Sequence, residues 1–205
     1  MHKFKRTEEP VPLKKLEAEC RNNWDTFGKT DNHRQLGDAL FEMQHHYCAY
    51  CELHLKEKKN GHIEHLERRK DNPNRAFDWK NLFFSCTKHD SCGRYKDEND
   101  VQFQVSDIVD PSIDDPADFF RYTPNGTMLP SDAAHTKRAT ETIRVFNLNS
   151  TRLKSVRKGI AQTVELFLEE NAGNPSEQII SDFFKQIAGS NCESVYYSIL
   201  NRKMP

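Results

Sequence analysis

Residues 47–70 read YCAYCELHLKEKKNGHIEHLERRK. Cys48 and Cys51 have the two-residue spacing that lets two thiolates turn onto one tetrahedral metal ion. Beyond a lysine-rich turn, Glu64 directly precedes His65, His62 stands three before it, and Arg68, Arg69 and Lys70 follow. Each half has a plain explanation alone. Cys-x-x-Cys also serves redox chemistry, and a strand histidine commonly only orders its neighbours. Whether the halves form one site depends on what the remaining chain supplies.

A second cysteine pair answers part of that question. SCTKHDSCGRYKD, residues 85–97, carries Cys86 and Cys92. Two pairs some thirty-five positions apart favour a structural four-cysteine zinc site over buried thiols without metal. Five residues separate the second pair, where two are commoner. His89 lies among them and keeps open a set of three cysteines and one histidine, with Cys86 or Cys92 displaced. Cys20 and Cys192 have no partner at useful spacing and are expected in the core. A redox reading would need a thioredoxin-like βαβ context, which the pattern does not offer.

The 205 residues suffice for one domain with a real core, or for a small module with an appended subdomain. Hydrophobic residues make up 36% and charged residues 30%, so the core is modest and the surface strongly solvated. The net charge of −1 hides segregation. Seven acids and no lysine or arginine fall between Glu98 and Phe120, whereas seven basic residues face the single acid Glu141 between Lys137 and Lys158. Such asymmetry can mark a polyanion or protein partner, though charge runs are usually solvated faces. The first twenty residues lack an apolar run and nothing later reads as a bilayer span, so a cytosolic location is the expectation. Six cysteines in that compartment argue for metal or thiol chemistry rather than disulfides.

The expected fold class is α+β. Leu13, Leu16, Cys20, Trp24 and Phe27 recur at near-helical spacing and predict a short amphipathic helix. A second helix is predicted from Asp31 to His46, with Asp31 or Asn32 as N-cap. Strands are expected at Gly61–Leu66, over WKNLFFSC (residues 79–86) and over VQFQVSDIVDP (residues 101–111), with a polar loop at 67–78. FFRYTPNGTMLP (residues 119–130) reads as a hairpin turned at Asn125-Gly126, a pair that type I′ turns favour. The remainder is predicted helical, two longer segments being separated by an Asn149-Ser150 cap. On the second, Leu153, Val156, Ile160, Val164, Phe167 and Leu168 share a face. Two short helices follow Pro175. This divides the chain into an N-terminal helical segment (1–46), a cysteine-bearing core (47–100), an acidic hairpin segment (101–132) and a C-terminal helical subdomain (133–205).

GHIEHLERR and DWKNLFFSC, set between the cysteine pairs, resemble the HNH endonuclease family from Cys48 to about Asp97. The resemblance implies a small ββα-metal, treble-clef-like core braced by the zinc knuckle, with helices before and after it. It also assigns roles. His65 matches the general base that deprotonates a water, and Glu64 the acid that binds the catalytic cation. Asn81 matches the residue that pins the histidine's loop, and Lys96 a basic position near the scissile phosphate. The family's last ligand usually follows the fourth cysteine directly, where this chain has Gly93, which offers no side chain. Asp97 is the preferred substitute and His62 the second, although His62 could merely order His65.

Phosphodiester hydrolysis needs a nucleophilic hydroxide, a cation to stabilise the phosphorane and leaving oxygen, and contacts to the flanking backbone. A neutral imidazole suits the first task near pH 7. A carboxylate suits Mg²⁺ or Mn²⁺, kept distinct from thiolate-bound zinc. Arg68, Arg69, Lys70, Lys80 and Arg94, with Lys58, Lys59 and Arg75 nearby, can meet phosphates, though each alone is an ordinary surface cation.

CAYCE, HIEHLERRKDNP, WKNLFFSC, CGRYKD and TIRVFNLNSTRL together look like the PtuB-type HNH endonucleases of bacterial Septu and retron anti-phage systems, from about Tyr47 to Arg157. That likeness implies a PtuA-type ATPase partner resembling the ABC and SMC families and, in retrons, a reverse transcriptase with its RNA and DNA. It also implies a nucleic-acid substrate, DNA or a structured RNA such as tRNA. Arg94 departs from the histidine frequent in that family, which bears on the last metal ligand. The competing reading is a zinc-braced module that binds nucleic acid or a partner without cleaving. Mg²⁺-dependent nicking separates the two.

Overall fold

The computed structural model describes residues 1–13 and 23–200. Leu16 and Cys20 of the predicted first helix fall outside them. The chain is α+β, as expected. Helix α1, Trp24–Phe27, is a single turn whose N-cap Asn23 accepts from Thr26 N. Helix α2, Asp31–Met43, is capped by Thr30 rather than Asp31 or Asn32, the Thr30 hydroxyl accepting from His33 N at 3.3 Å. It stops short of the predicted His46 because His45 and His46 take positive φ, 51° and 65°, which no right-handed helix permits.

Strands β1, Gly61–His65, and β2, Leu82–Cys86, form an antiparallel pair with His62 opposite Ser85, Glu64 opposite Phe83 and His65 opposite Leu82. A 3-10 turn at Trp79–Asn81, capped by Asp78, replaces the start of the second predicted strand. Every residue of β2 is buried, because α2 packs against the pair and helix α3, Cys92–Glu98, also packs on β2. Leu82, Phe83 and Phe84 are at most 2% exposed. Each such side chain contributes about 1.5–3 kcal/mol of burial free energy, which makes β2 the anchor of the site region.

The acidic segment forms no strand at 101–111, contrary to expectation; it holds only a 3-10 turn at Val105–Asp107. Its backbone is instead committed to a helix, Val109 N donating to the Thr142 hydroxyl. After helix α4, Pro116–Phe119, strands β3, Phe120–Tyr122, and β4, Met128–Pro130, make the predicted hairpin. The connection is not a type I′ turn. Five residues join the strands and only Gly126 takes positive φ, 82°, where a Cβ would also meet Lys154 O at 2.0 Å.

Helices α5, Thr136–Val145, and α6, Thr151–Glu170, are followed by α7, Glu177–Ile187, and α8, Glu193–Ile199. Ser150 caps α6, and Leu153, Ile160 and Val164 are buried on the predicted face. The segregated charges meet each other. Lys137 pairs with Asp107 at 2.7 Å, and Arg138 grips Asp114 with both terminal nitrogens while donating to Ile108 O. These contacts pair part of the opposite charges within the chain, so the asymmetry does not by itself indicate an outside polyanion. Among the described residues, no helix is long and apolar enough to cross a membrane.

Candidate active site

Cys48, Cys51, Cys86 and Cys92 converge, their sulfurs all within 4.8 Å of one another and all four residues buried. The knuckle turn is made by Glu52 in left-handed φ and by Cys86 N, which donates to Cys48 Sγ at 3.3 Å. Burial raises a thiol's pKa, yet donation from Cys51, Cys86 and Cys92 holds Cys48 well below the usual range, while burial and their neighbours push Cys51 and Cys92 up. Four sulfurs packed this closely can all be thiolates only around a cation. The donor set therefore fits a closed, structural zinc site with no position left for water. His89 is not part of it. Its side chain is 70% exposed and pairs with Glu98 at 2.7 Å, which removes the alternative of three cysteines and one histidine. Cys192 is a core residue as expected, its thiol donating to Cys51 O, and α8 thereby leans on the knuckle.

At the end of β1 lies a cavity of about 330 Å³. Its walls include His62, Glu64, His65 and Asp97, and also Arg68, Arg69 and Lys70. A larger cleft, about 410 Å³, runs between the N-terminal residues and 112–117 and shares no wall with it. Side chains alternate along a strand. His62 and Glu64 thus share a face, 3.7 Å apart, while His65 ends the strand on the opposite side.

His65 is 6% exposed, and its Nε2 lies 2.9 Å from Ala76 O. A ring donating Nε2–H to that carbonyl keeps Nδ1 as its basic nitrogen. Burial pushes its pKa down to about 4, so the ring is neutral at pH 7. Asn81 closes the loop that supplies Ala76. Its Oδ1 accepts from Glu67 N at 2.7 Å, and Nδ2 donates to Glu67 O and Arg75 O, each at 3.0 Å.

Glu64 is 1% exposed. Burial raises its pKa, but the Lys96 ammonium and His62 outweigh that and leave it below the usual carboxylate range. Lys96 Nζ is 2.7 Å from Oε1, although that oxygen has no aligned hydrogen bond. The contact is thus an ion pair that leaves lone-pair capacity over. Gly93 explains the carboxylate's seat: a Cβ there would lie 2.2 Å from Glu64 Oε2. Absence of a side chain at 93 is what lets Glu64 lie over the start of α3. Asp97 sits at the rim, 46% exposed, its pKa raised by burial and by Glu64.

Donors suited to a hard cation are therefore gathered, with Glu64 Oε1 and His62 Nδ1 buried and without hydrogen-bond partners. They are not drawn to ligand spacing, for among the described residues only the four cysteines converge within 4.8 Å. Residue chemistry fits a divalent ion held by oxygen and imidazole.

Lys96 differs from its expected place near a scissile phosphate. Its side chain is 0% exposed, under Glu64, because the ammonium takes up the carbonyls at the end of β1. Arg68 is also committed, bracing Asp71 and Asp100 at 2.8 and 2.6 Å. Arg69 and Lys70 stay substantially exposed, paired with Asp25 and Asp100. Lys80 and Arg94 do not line the cavity. The sequence pattern marks Trp24 only as an apolar position of the first predicted helix. Its ring stands 4.3 Å from the His65 ring, edge to face, with the Arg69 guanidinium over it. No local pattern links it to His65, since the contact spans forty-one positions.

No protein-family profile matches the chain. It is similar to PtuB-type HNH endonucleases. One relative is the "Septu protein PtuB" of Bacillus thuringiensis, 31% identical over 140 residues, covering 64% of this chain and 49% of the relative. The other is the "Retron Ec83 putative HNH endonuclease" of Escherichia coli, 26% identical over 202 residues, covering 77% of this chain and 78% of that protein. The chain spans about half the length of the Septu protein.

Proposed function

We propose that the chain is a metal-dependent HNH endonuclease of the PtuB type, hydrolysing nucleic-acid phosphodiester bonds in anti-phage defence beside a PtuA-type ATPase. The observation that carries this reading is the shared cavity of His62, Glu64, His65 and Asp97, with Glu64 seated over Gly93, which follows Cys92 of the buried four-cysteine cluster. The names of the two relatives supply the defence context, Septu in one and a retron in the other. In a retron setting, the reverse transcriptase and its RNA and DNA would be further partners.

In this reading the β1–β2 pair and α3 form an HNH ββα-metal core, and zinc bound by the cysteines fixes β2 to the start of α3. Glu64, His62 and Asp97 would hold Mg²⁺ or Mn²⁺, which supplies charge stabilisation for the phosphorane and leaving oxygen. His65 Nδ1 takes the proton from the attacking water, its ring steered by Ala76 O. Asn81 keeps that carbonyl in place through Arg75. Arg69 and Lys70 bind flanking phosphates once released from Asp25 and Asp100, a contact set that reads backbone rather than sequence.

A second reading is a non-cleaving module, favoured by one feature: Lys96 already neutralises part of Glu64. Incubation of the purified protein with plasmid and total RNA, with Mg²⁺ or Mn²⁺ and with or without the ATPase, decides between them. Metal-dependent cleavage abolished by His65→Ala supports the endonuclease. Binding without cleavage under all those conditions supports the module.

A further inference from the structure

The Lys96 ammonium is caged by four oxygens. It donates to the carbonyls of His65 and Leu66, the latter at 3.0 Å, and lies 2.7 Å from Glu64 Oε1 and 3.2 Å from Asp97 Oδ1. An ammonium has three N–H groups, so four oxygens already exceed its donors. The side chain is fully buried, with two of its hydrogens given to the carbonyls and the carboxylates crowding the third, so it is withdrawn from the surface where a phosphate would lie. This surrounding resembles the oxygen shell of a hard metal ion more than the exposed setting of a substrate-binding lysine.

Two consequences follow from that placement. The carbonyls belong to the last residue of β1 and the residue after it, so the cage ties α3 to the turn from which His65 projects. The carboxylates are those assigned to the catalytic cation, and the ammonium cancels one of their two negative charges. Glu64 Oε1 is held toward Lys96 while Oε2 lies toward His62 and over Gly93. We propose that Lys96 is a positioning residue that sets how the site takes a divalent cation. Its caged ammonium orients Glu64 and fixes the turn after His65, and its charge weakens the hold of the carboxylates on the cation. This rests on the cation reading given above.

Mn²⁺ binding to the full chain without substrate tests it, followed through the electron paramagnetic resonance signal of free Mn²⁺. Wild type, Lys96→Met, Lys96→Gln and Glu64→Gln are compared, with zinc content and circular dichroism reporting the fold. Removing a unit charge a few ångströms from the ligands should tighten Mn²⁺ binding by about tenfold or more in both Lys96 variants. Cleavage at saturating Mn²⁺ should fall nonetheless, less in Lys96→Gln, whose amide can still donate to a backbone carbonyl. Lys96→Gln also keeps the test open if Lys96→Met does not fold. A folded Lys96 variant that binds Mn²⁺ no tighter than wild type overturns the proposal, and so does a raised KM for nucleic acid at unchanged Mn²⁺ affinity. Wild-type Mn²⁺ binding by Glu64→Gln would instead overturn the underlying assignment of the ligand.

Discussion

Replacing Asn81 with alanine removes three hydrogen bonds that tie the end of the 66–81 loop to its start and its middle, those to Glu67 N, Glu67 O and Arg75 O. Each is worth about 1 kcal/mol net, and an unpaired backbone group costs about 1–3 kcal/mol when water cannot reach it. These contacts are part-buried, so the lower figures apply, and the sum is about 3 kcal/mol. For a chain of this size that lowers Tm by about 6–12 °C. The functional effect travels one residue farther. Arg75 O precedes the Ala76 carbonyl that holds His65 Nε2, so a freed loop lets the imidazole rotate away from its working orientation. Misplacing a reacting group by an ångström can cost about 10²-fold, which is the expected fall in cleavage rate. Thermal melts and single-turnover cleavage at a temperature well below the melt give the two readouts separately. The cysteine cluster lies elsewhere, so zinc content should not change. A Tm within about 2 °C of wild type would refute the hydrogen-bond reasoning. A destabilised variant cleaving at the wild-type rate would refute the link from Asn81 to His65.

His65→Ala should lower cleavage by about 10²–10⁴-fold with fold and zinc content retained, and near wild-type turnover would move the base to His62. Since burial depresses the His65 pKa to about 4, the free enzyme's acid limb attributable to this ring should lie well below pH 6.5; a limb at 6.5 or above would contradict that. The same depression affects stability. Between pH 6.5 and 4 the unfolded chain binds the extra proton, so this contribution is full above 6.5 and is lost as pH falls through that window, as melts across pH would record. Cys48→Ser should give unfolded or insoluble protein, and a cooperative melt from zinc-free Cys48→Ser protein would contradict a structural metal. Gly93→Ala should displace Glu64 and weaken Mn²⁺ binding while leaving zinc bound, because the added Cβ would sit 2.2 Å from Glu64 Oε2; unchanged Mn²⁺ affinity would remove Glu64 from the ligands.

Local pattern carried much of this protein. Cysteine spacing announced the cluster, since two ligands on one tight turn must be close in sequence, and helical periodicity located α2, α5 and α6. A short strand was expected where β1 forms, and the Asn-Gly pair marked the hairpin, though Gly126 alone takes the left-handed conformation there. Pattern failed where the deciding partner lies far along the chain. Residues 101–111 alternate like a strand, but Val109 spends its N–H on Thr142, a distant helix side chain that alternation does not encode. Charge content showed segregation, and only the packing of α5 against the acidic segment showed lysine and arginine meeting aspartate. Residue types at the candidate site were legible as His62, Glu64, His65, Asn81 and Asp97. Their surroundings were not. Burial of Lys96 under Glu64, the Trp24 ring against His65 and the space above Gly93 each arise from contacts between separate segments. Residue identity and short-range geometry determine which groups can ionise, ligate or donate. Tertiary packing alone decides which of them lose water and which charge each one faces, because desolvation and pairing depend on atoms that the chain brings together only when it folds.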